Sequence, residues 1–67
     1  MKITLAAARV NAGFTQKDAA VALEVSNKTL SSWESGNSFP NAQQIEKLCS
    51  LYNLSYDNIN FLPTNPL

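Results

Sequence analysis

Only Glu24 and Val25 separate Leu23, the last residue of one apolar helical stripe, from Ser26, a side chain suited to cap the next helix. Two helices joined by so short a turn must cross steeply. The first stripe is Ala19, Ala20 and Leu23, and the second is Leu30 and Trp33, each at helical spacing. Val25 plugs the turn, and Ala20 is small where the two helices approach. This arrangement leaves the start of the second helix, Asn27, Lys28 and Thr29, projecting outward.

Caps organise the rest of the chain. Thr4 caps a first helix through about Asn11, with Leu5, Ala8, Arg9 and Ala12 on one face and Gly13 placed to close it in a left-handed conformation. Thr15 caps the next helix, and Asp18 three residues on suggests a capping box. After Ser26, the third helix runs to Gly36, and Asn37 to Pro40 form a loop. Asn41 and Gln44 start a fourth helix with the stripe Ile45, Leu48, Cys49 and Tyr52. Ser55 caps a last helical turn from Tyr56 to Asn60, with Ile59 inward. The expected fold class is all-α: a compact bundle of five short helices with no convincing strand. The single domain spans 1–67, with a core at about 3–60 and a C-terminal tail at 61–67.

Composition narrows the function. A chain of 67 residues, 45% hydrophobic and 15% charged, makes one small globular core. There is no His and one Cys, so no metal site, internal disulfide or cofactor is expected. Catalysis is not expected either, because no activated nucleophile pair or Gly-rich phosphate loop is present. No apolar run reaches the roughly 20 residues of a membrane span, and no signal peptide is evident, so a cytoplasmic location is expected. The formal net charge is zero, which weighs against nucleic-acid binding without excluding it, because local charge matters more than the sum.

The third helix carries the signal. Its polar face, Asn27, Lys28, Ser31, Ser32 and Ser35, lacks the Glu/Lys pairs that decorate an ordinary solvated helix. Asn pairs bidentately with adenine, Lys donates to guanine, and a Thr methyl touches the thymine methyl. Ser32 lies one turn beyond Lys28 and Thr29 on the same stripe. On composition alone, a merely solvated face remains open.

The segments Gly13-Phe14-Thr15-Gln16, then Ala19-Ala20, Leu23, Val25-Ser26, Thr29-Leu30-Ser31, Trp33-Glu34, Gly36 and Pro40 resemble the Cro/C1-type (XRE) helix-turn-helix family, over about residues 3 to 60. The resemblance implies a lambda-repressor-like fold and sequence-specific binding of double-stranded DNA by a transcriptional regulator, of the phage or prophage repressor type. It implies that Asn27, Lys28, Thr29 and Ser32 read bases. It places Gln16, with Thr15, Lys17 and Ser31, at DNA phosphates, and Asn37 and Ser38 where the loop approaches the backbone. Arg9 and Glu34 match a structural ion pair between the first and third helices.

Departures from that pattern matter. Glu24 stands where relatives have Gly, so the turn either carries a positive φ at a cost of about 1 kcal/mol or bends differently. The loop after Gly36 has no Lys or Arg. Cys49 reads as a small core residue, Trp33 as core, and Tyr52 and Tyr56 as core edge or interface. The expected assembly is a homodimer on a palindromic operator. Tyr56, Ile59, Phe61, Leu62, Pro63 and Leu67 offer a two-fold interface or, alternatively, a lead into a further domain. The competing function is a protein-interaction module on the same fold, such as an antitoxin or adaptor.

Overall fold

The structure, a computed structural model, describes residues 2–61. Four α-helices follow in order: α1 (Leu5–Asn11), α2 (Gln16–Leu23), α3 (Asn27–Ser35) and α4 (Ala42–Tyr52). Each starts where a short polar side chain meets the third backbone N–H of the helix. Thr4 Oγ1 accepts from Ala7 N at 3.0 Å and Thr15 Oγ1 from Asp18 N at 3.0 Å. Ser26 Oγ accepts from Thr29 N at 3.0 Å and Asn41 Oδ1 from Gln44 N at 2.8 Å. Only α4 has both halves of a capping box, with Gln44 Oε1 accepting from Asn41 N. The expected box at Thr15 forms its hydroxyl half. Asp18 is one methylene shorter than the Glu that normally reaches back.

The helix ends share a device. Positive φ occurs at Gly13 (88°), Glu24 (62°), Gly36 (85°) and Asn53 (57°), one after each helix. The next residue's N–H then bonds five positions back: Phe14 to Arg9 O, Val25 to Ala20 O, Asn37 to Ser32 O and Leu54 to Cys49 O, all 3.0–3.1 Å. This is the Schellman closure, which satisfies carbonyls the helix leaves open. Phe14, Val25 and Leu54 pack against the core, the apolar contact that accompanies this motif. At the end of α3 that position is Asn37, which is exposed. The polar exception therefore lies in the loop behind the third helix.

Two expectations are corrected at the C-terminal end. The fifth helix is only a 3₁₀ turn, Tyr56–Asn58, followed by strand β2 (Ile59–Asn60). Ser55 does not cap it, because its hydroxyl bonds Asn58 Oδ1 instead of a backbone N–H. The chain also contains β-structure: β1 (Ile3–Thr4) pairs in parallel with β2, Ile3 beside Ile59 and Thr4 beside Asn60. Two-residue strands have no alternation to read in a sequence. Ile59 points inward as expected, but from a strand.

The core comprises Leu5, Ala8, Ala19, Ala20, Leu23, Leu30, Trp33, Leu48, Tyr52, Ile59 and Phe61. Ala12, expected on the inner face of α1, is exposed, because α1 has already ended at Asn11. Cys49 is half-buried against the core. Among the described residues no helix is long and apolar enough to cross a membrane.

Glu24 adopts φ 62°, ψ 39°, so the turn between α2 and α3 does carry the left-handed conformation. Its carboxylate is held by Lys47 of α4 at 3.0 Å, in an exposed pair whose stabilisation is small. Glu24→Gly is therefore expected to stabilise the fold by a few tenths to about 1 kcal/mol, read by urea or thermal unfolding. A lower melting temperature would contradict the strain.

Tyr52 is 4% exposed, yet its Oη has no hydrogen-bond partner among the described residues. Burial, then the Glu34 carboxylate, push its pKa from 10.0 to about 12, with Arg9 opposing. The folded state thus holds this proton more tightly than the unfolded chain. The corresponding stability is complete below about pH 10 and is lost as pH rises towards about 12. Tyr52→Phe should leave the melting temperature at pH 7 unchanged or higher, since it removes an unsatisfied buried hydroxyl. It should also flatten the alkaline loss. A destabilisation beyond about 1 kcal/mol would mean the hydroxyl has a partner.

Candidate nucleic-acid interface

The Schellman closure after α2 turns the chain so that α3 presents its first turn outward. Asn27 and Lys28 are exposed there, Thr29 is half-buried, and Ser31 is exposed one turn on. Ser26 Oγ, besides capping the helix, lies 2.9 Å from Thr29 Oγ1 and holds that side chain in place.

Behind this turn runs a chain of side-chain hydrogen bonds through three helices. Arg9 Nε of α1 meets Glu34 Oε2 of α3 at 2.8 Å, and its Nη2 reaches Oε1 at 3.5 Å. Arg9 Nη1 also donates to Phe14 O at 3.0 Å, tying down the turn into α2. Gln16 Nε2 of α2 donates to Glu34 Oε1 at 3.0 Å. Asn27 Nδ2 of α3 then donates to Gln16 Oε1 at 3.2 Å. The Arg9 and Glu34 side chains are 15% and 9% exposed, so the pair is shielded enough that losing one partner would strand a charge.

The order of this chain is directional. A carboxylate only accepts, so the Gln16 amide must point its nitrogen at Glu34 and its oxygen at Asn27. Asn27 must in turn point its nitrogen at Gln16. One N–H and the carbonyl oxygen of Asn27 remain, a donor and an acceptor side by side.

The remaining candidate residues fall at the start of α2, on the last turn of α3 and in the loop that follows it. Thr15 and Lys17 are exposed at the start of α2. Thr15 Oγ1 accepts from Asp18 N, which leaves its own proton to donate. Gln16 is more constrained than the sequence suggests: both ends of its amide are engaged. Its second side-chain N–H and its backbone N–H at the α2 N-terminus remain for an anion. Ser32 of α3 and Ser38 of the loop lie with their hydroxyl oxygens 2.9 Å apart, while Asn37 beside them is exposed.

Positive charge is sparse. Arg9 and Lys47 are spent on Glu34 and Glu24, leaving Lys2, Lys17 and Lys28 without an ion pair among the described residues. The sequence did not disclose the Gln16 bridge, the Ser32–Ser38 contact or the Lys47–Glu24 pair. These partners lie 18 and 11, 6, and 23 positions apart, beyond any local periodicity.

A second feature lies at the other end of the loop. Phe39, Tyr56 and Phe61 form an aromatic cluster: Phe61 stacks on Tyr56 at 5.4 Å and meets Phe39 edge-on at 6.0 Å. Phe39 and Tyr56 are each 53% exposed. They border a cavity of about 150 Å³ with Lys2, Ile59, Asn60 and Phe61. The interface expected from the tail needs correction, because Ile59 and Phe61 are buried within the protomer. Leu62, Pro63 and Leu67 lie outside the described residues.

The family model described as a helix-turn-helix domain matches residues 3–62. The chain is also 44% identical over 50 residues to the HTH-type transcriptional regulator ImmR of Bacillus subtilis (strain 168). That match covers 75% of this chain and 39% of the regulator, so the chain spans well under half the length of this relative. No solved structure matches. With the short left-handed turn between α2 and α3 and the exposed first turn of α3, these matches show that the chain belongs to the helix-turn-helix domain family, in its Cro/C1 type.

Proposed function

We propose that this domain binds double-stranded DNA sequence-specifically, as the DNA-reading part of a transcriptional repressor of the phage or prophage type with a lambda-repressor-like fold. One observation carries the reading: the first turn of α3 is exposed, and Asn27 there is oriented by the chain running back to Glu34. Its free N–H and carbonyl match N7 and N6 of adenine. Lys28 donates to guanine and Thr29 meets a thymine methyl, with Ser32 one turn deeper in the groove.

Thr15, Gln16, Lys17 and Ser31 on one side, and Asn37 and Ser38 on the other, contact phosphates and set the register. Arg9 and Glu34 position Gln16 and Asn27 without touching DNA. One domain reads one half-site, so useful specificity calls for two copies on a palindrome. Phe39, the residue after Ser38, and Tyr56 are both exposed. This exposed aromatic pair is the surface proposed for the contact between the two copies.

Fluorescence anisotropy with mixed-sequence DNA at low salt, followed by selection from a random pool, tests the reading. Binding with a recovered palindrome is expected. No binding at low salt would favour a protein-interaction module on the same fold, such as an antitoxin or adaptor. With Lys2, Lys17 and Lys28 neutralising two to three phosphates per subunit, the log–log salt slope for a dimer should be about −4 to −5. A magnitude below about 2 would argue against a dimeric complex. Lys28→Ala should cost about 1–3 kcal/mol of preference at one base pair, and an unchanged preference would remove Lys28 from the readers.

A further inference from the structure

Ser32 and Ser38 form a hydroxyl pair that the local backbone holds in place. Their Oγ atoms are 2.9 Å apart. The Ser32 carbonyl accepts from Asn37 N at 3.0 Å, from Ser38 N at 3.4 Å and from Ser35 Oγ at 3.1 Å, and the N–H of Gly36 is aimed at it as well. The loop is thus clamped onto the last turn of α3, and the two hydroxyls are brought together by that clamp. Ser38 is exposed and Ser32 half-buried.

Each hydroxyl has one proton to give and can also accept. In the pair, one proton lies between the oxygens and one is left over. In the free protein either serine can hold the spare proton, because hydroxyls rotate. A phosphate oxygen removes that freedom. It has no proton, so a serine that bonds it must donate. If Ser38 gives its proton to phosphate, the bond between the two oxygens survives only with Ser32 as donor. The single Ser32 proton is then spent, and Ser32 faces the base edges with lone pairs alone.

We infer that Ser38 is a specificity-positioning residue: on docking to the DNA backbone it converts Ser32 into an acceptor-only reader. An isolated serine contacts donor or acceptor base edges alike. An acceptor-only serine selects a base carrying an exocyclic amino group, adenine or cytosine. It disfavours the major-groove acceptors of guanine and thymine. This inference rests on the DNA-binding reading above and adds to it a coupling between a loop contact that carries no sequence information and a base choice made in the helix.

The test uses the palindrome recovered by the wild-type chain, with all four bases placed in turn at each half-site position. Ser32→Ala locates the position read by Ser32 as the one where discrimination disappears. There the wild-type chain should favour adenine or cytosine over guanine or thymine by about fivefold or more, the lower end of a single-mismatch effect. Ser38→Ala should flatten that preference to less than about twofold while other positions keep theirs. Ser38→Thr, which keeps the hydroxyl, should restore it. The inference is overturned if Ser38→Ala weakens all sequences equally with the preference intact, or if the position favours guanine or thymine. Failure of the wild-type chain to bind any DNA would overturn the functional reading itself, a result plainly different from altered selectivity in a chain that binds.

Discussion

A carboxylate accepts hydrogen bonds and never donates them, and the largely shielded Glu34 uses that asymmetry to order the helix-turn-helix. It binds Arg9 from α1 and Gln16 from α2 while itself belonging to α3. Because Glu34 cannot accommodate the oxygen of the Gln16 amide, Gln16 has one orientation, and Asn27 inherits one from it. The fork of Arg9 further reaches the Phe14 carbonyl, so the entry to α2 is held by the same group that orients the exposed end of α3. A pair this shielded need not add net stability. Its main consequence is that a short amide on the outer face is pre-set before anything docks.

The frame around this chain is built from repeated local solutions. In a protein this small, helices of 7 to 11 residues are too short to persist alone. Each is bounded by a side-chain cap at its start and a left-handed residue at its end. Three of the four closures drive an apolar residue back into the core and thereby pack the helix ends as well as the helices. The fourth leads instead into the polar, exposed Asn37 and Ser38. The departure from the pattern coincides with the face we propose meets DNA.

Electrostatics alone would not single out this chain. It has zero net charge, and two of its five cations are already paired. The proposed recognition of DNA would therefore depend on hydrogen-bond polarity and on the pairing of two copies more than on attraction to the phosphate backbone. The two polar chains of the site, one ending at Asn27 and the other at Ser32, share this logic. In the first the Glu34 carboxylate, which can only accept, fixes the direction of the bonds; in the second we propose that a DNA phosphate does so on docking.

Much of the local structure was legible in the sequence. Caps act over three residues, and apolar stripes repeat within a turn, so Thr4, Thr15, Ser26 and Asn41 announced the four helices. Gly36 announced the end of the helix that carries the candidate readers, and the two residues between Leu23 and Ser26 announced the short turn between α2 and α3. What the sequence left open was decided by contacts between distant positions. The conformation of Glu24 depended on how α2 had to meet α3. The fifth helix became a turn and a strand because Ile59 found Ile3 across the chain. The Gln16 bridge joins residues whose separations carry no period, and so does the serine pair behind Ser32. The sequence by itself thus determined which residues stand at the exposed start of α3. Only the tertiary structure decided which way the Asn27 amide points, because that direction is set by Gln16 on α2 and, through it, by Glu34.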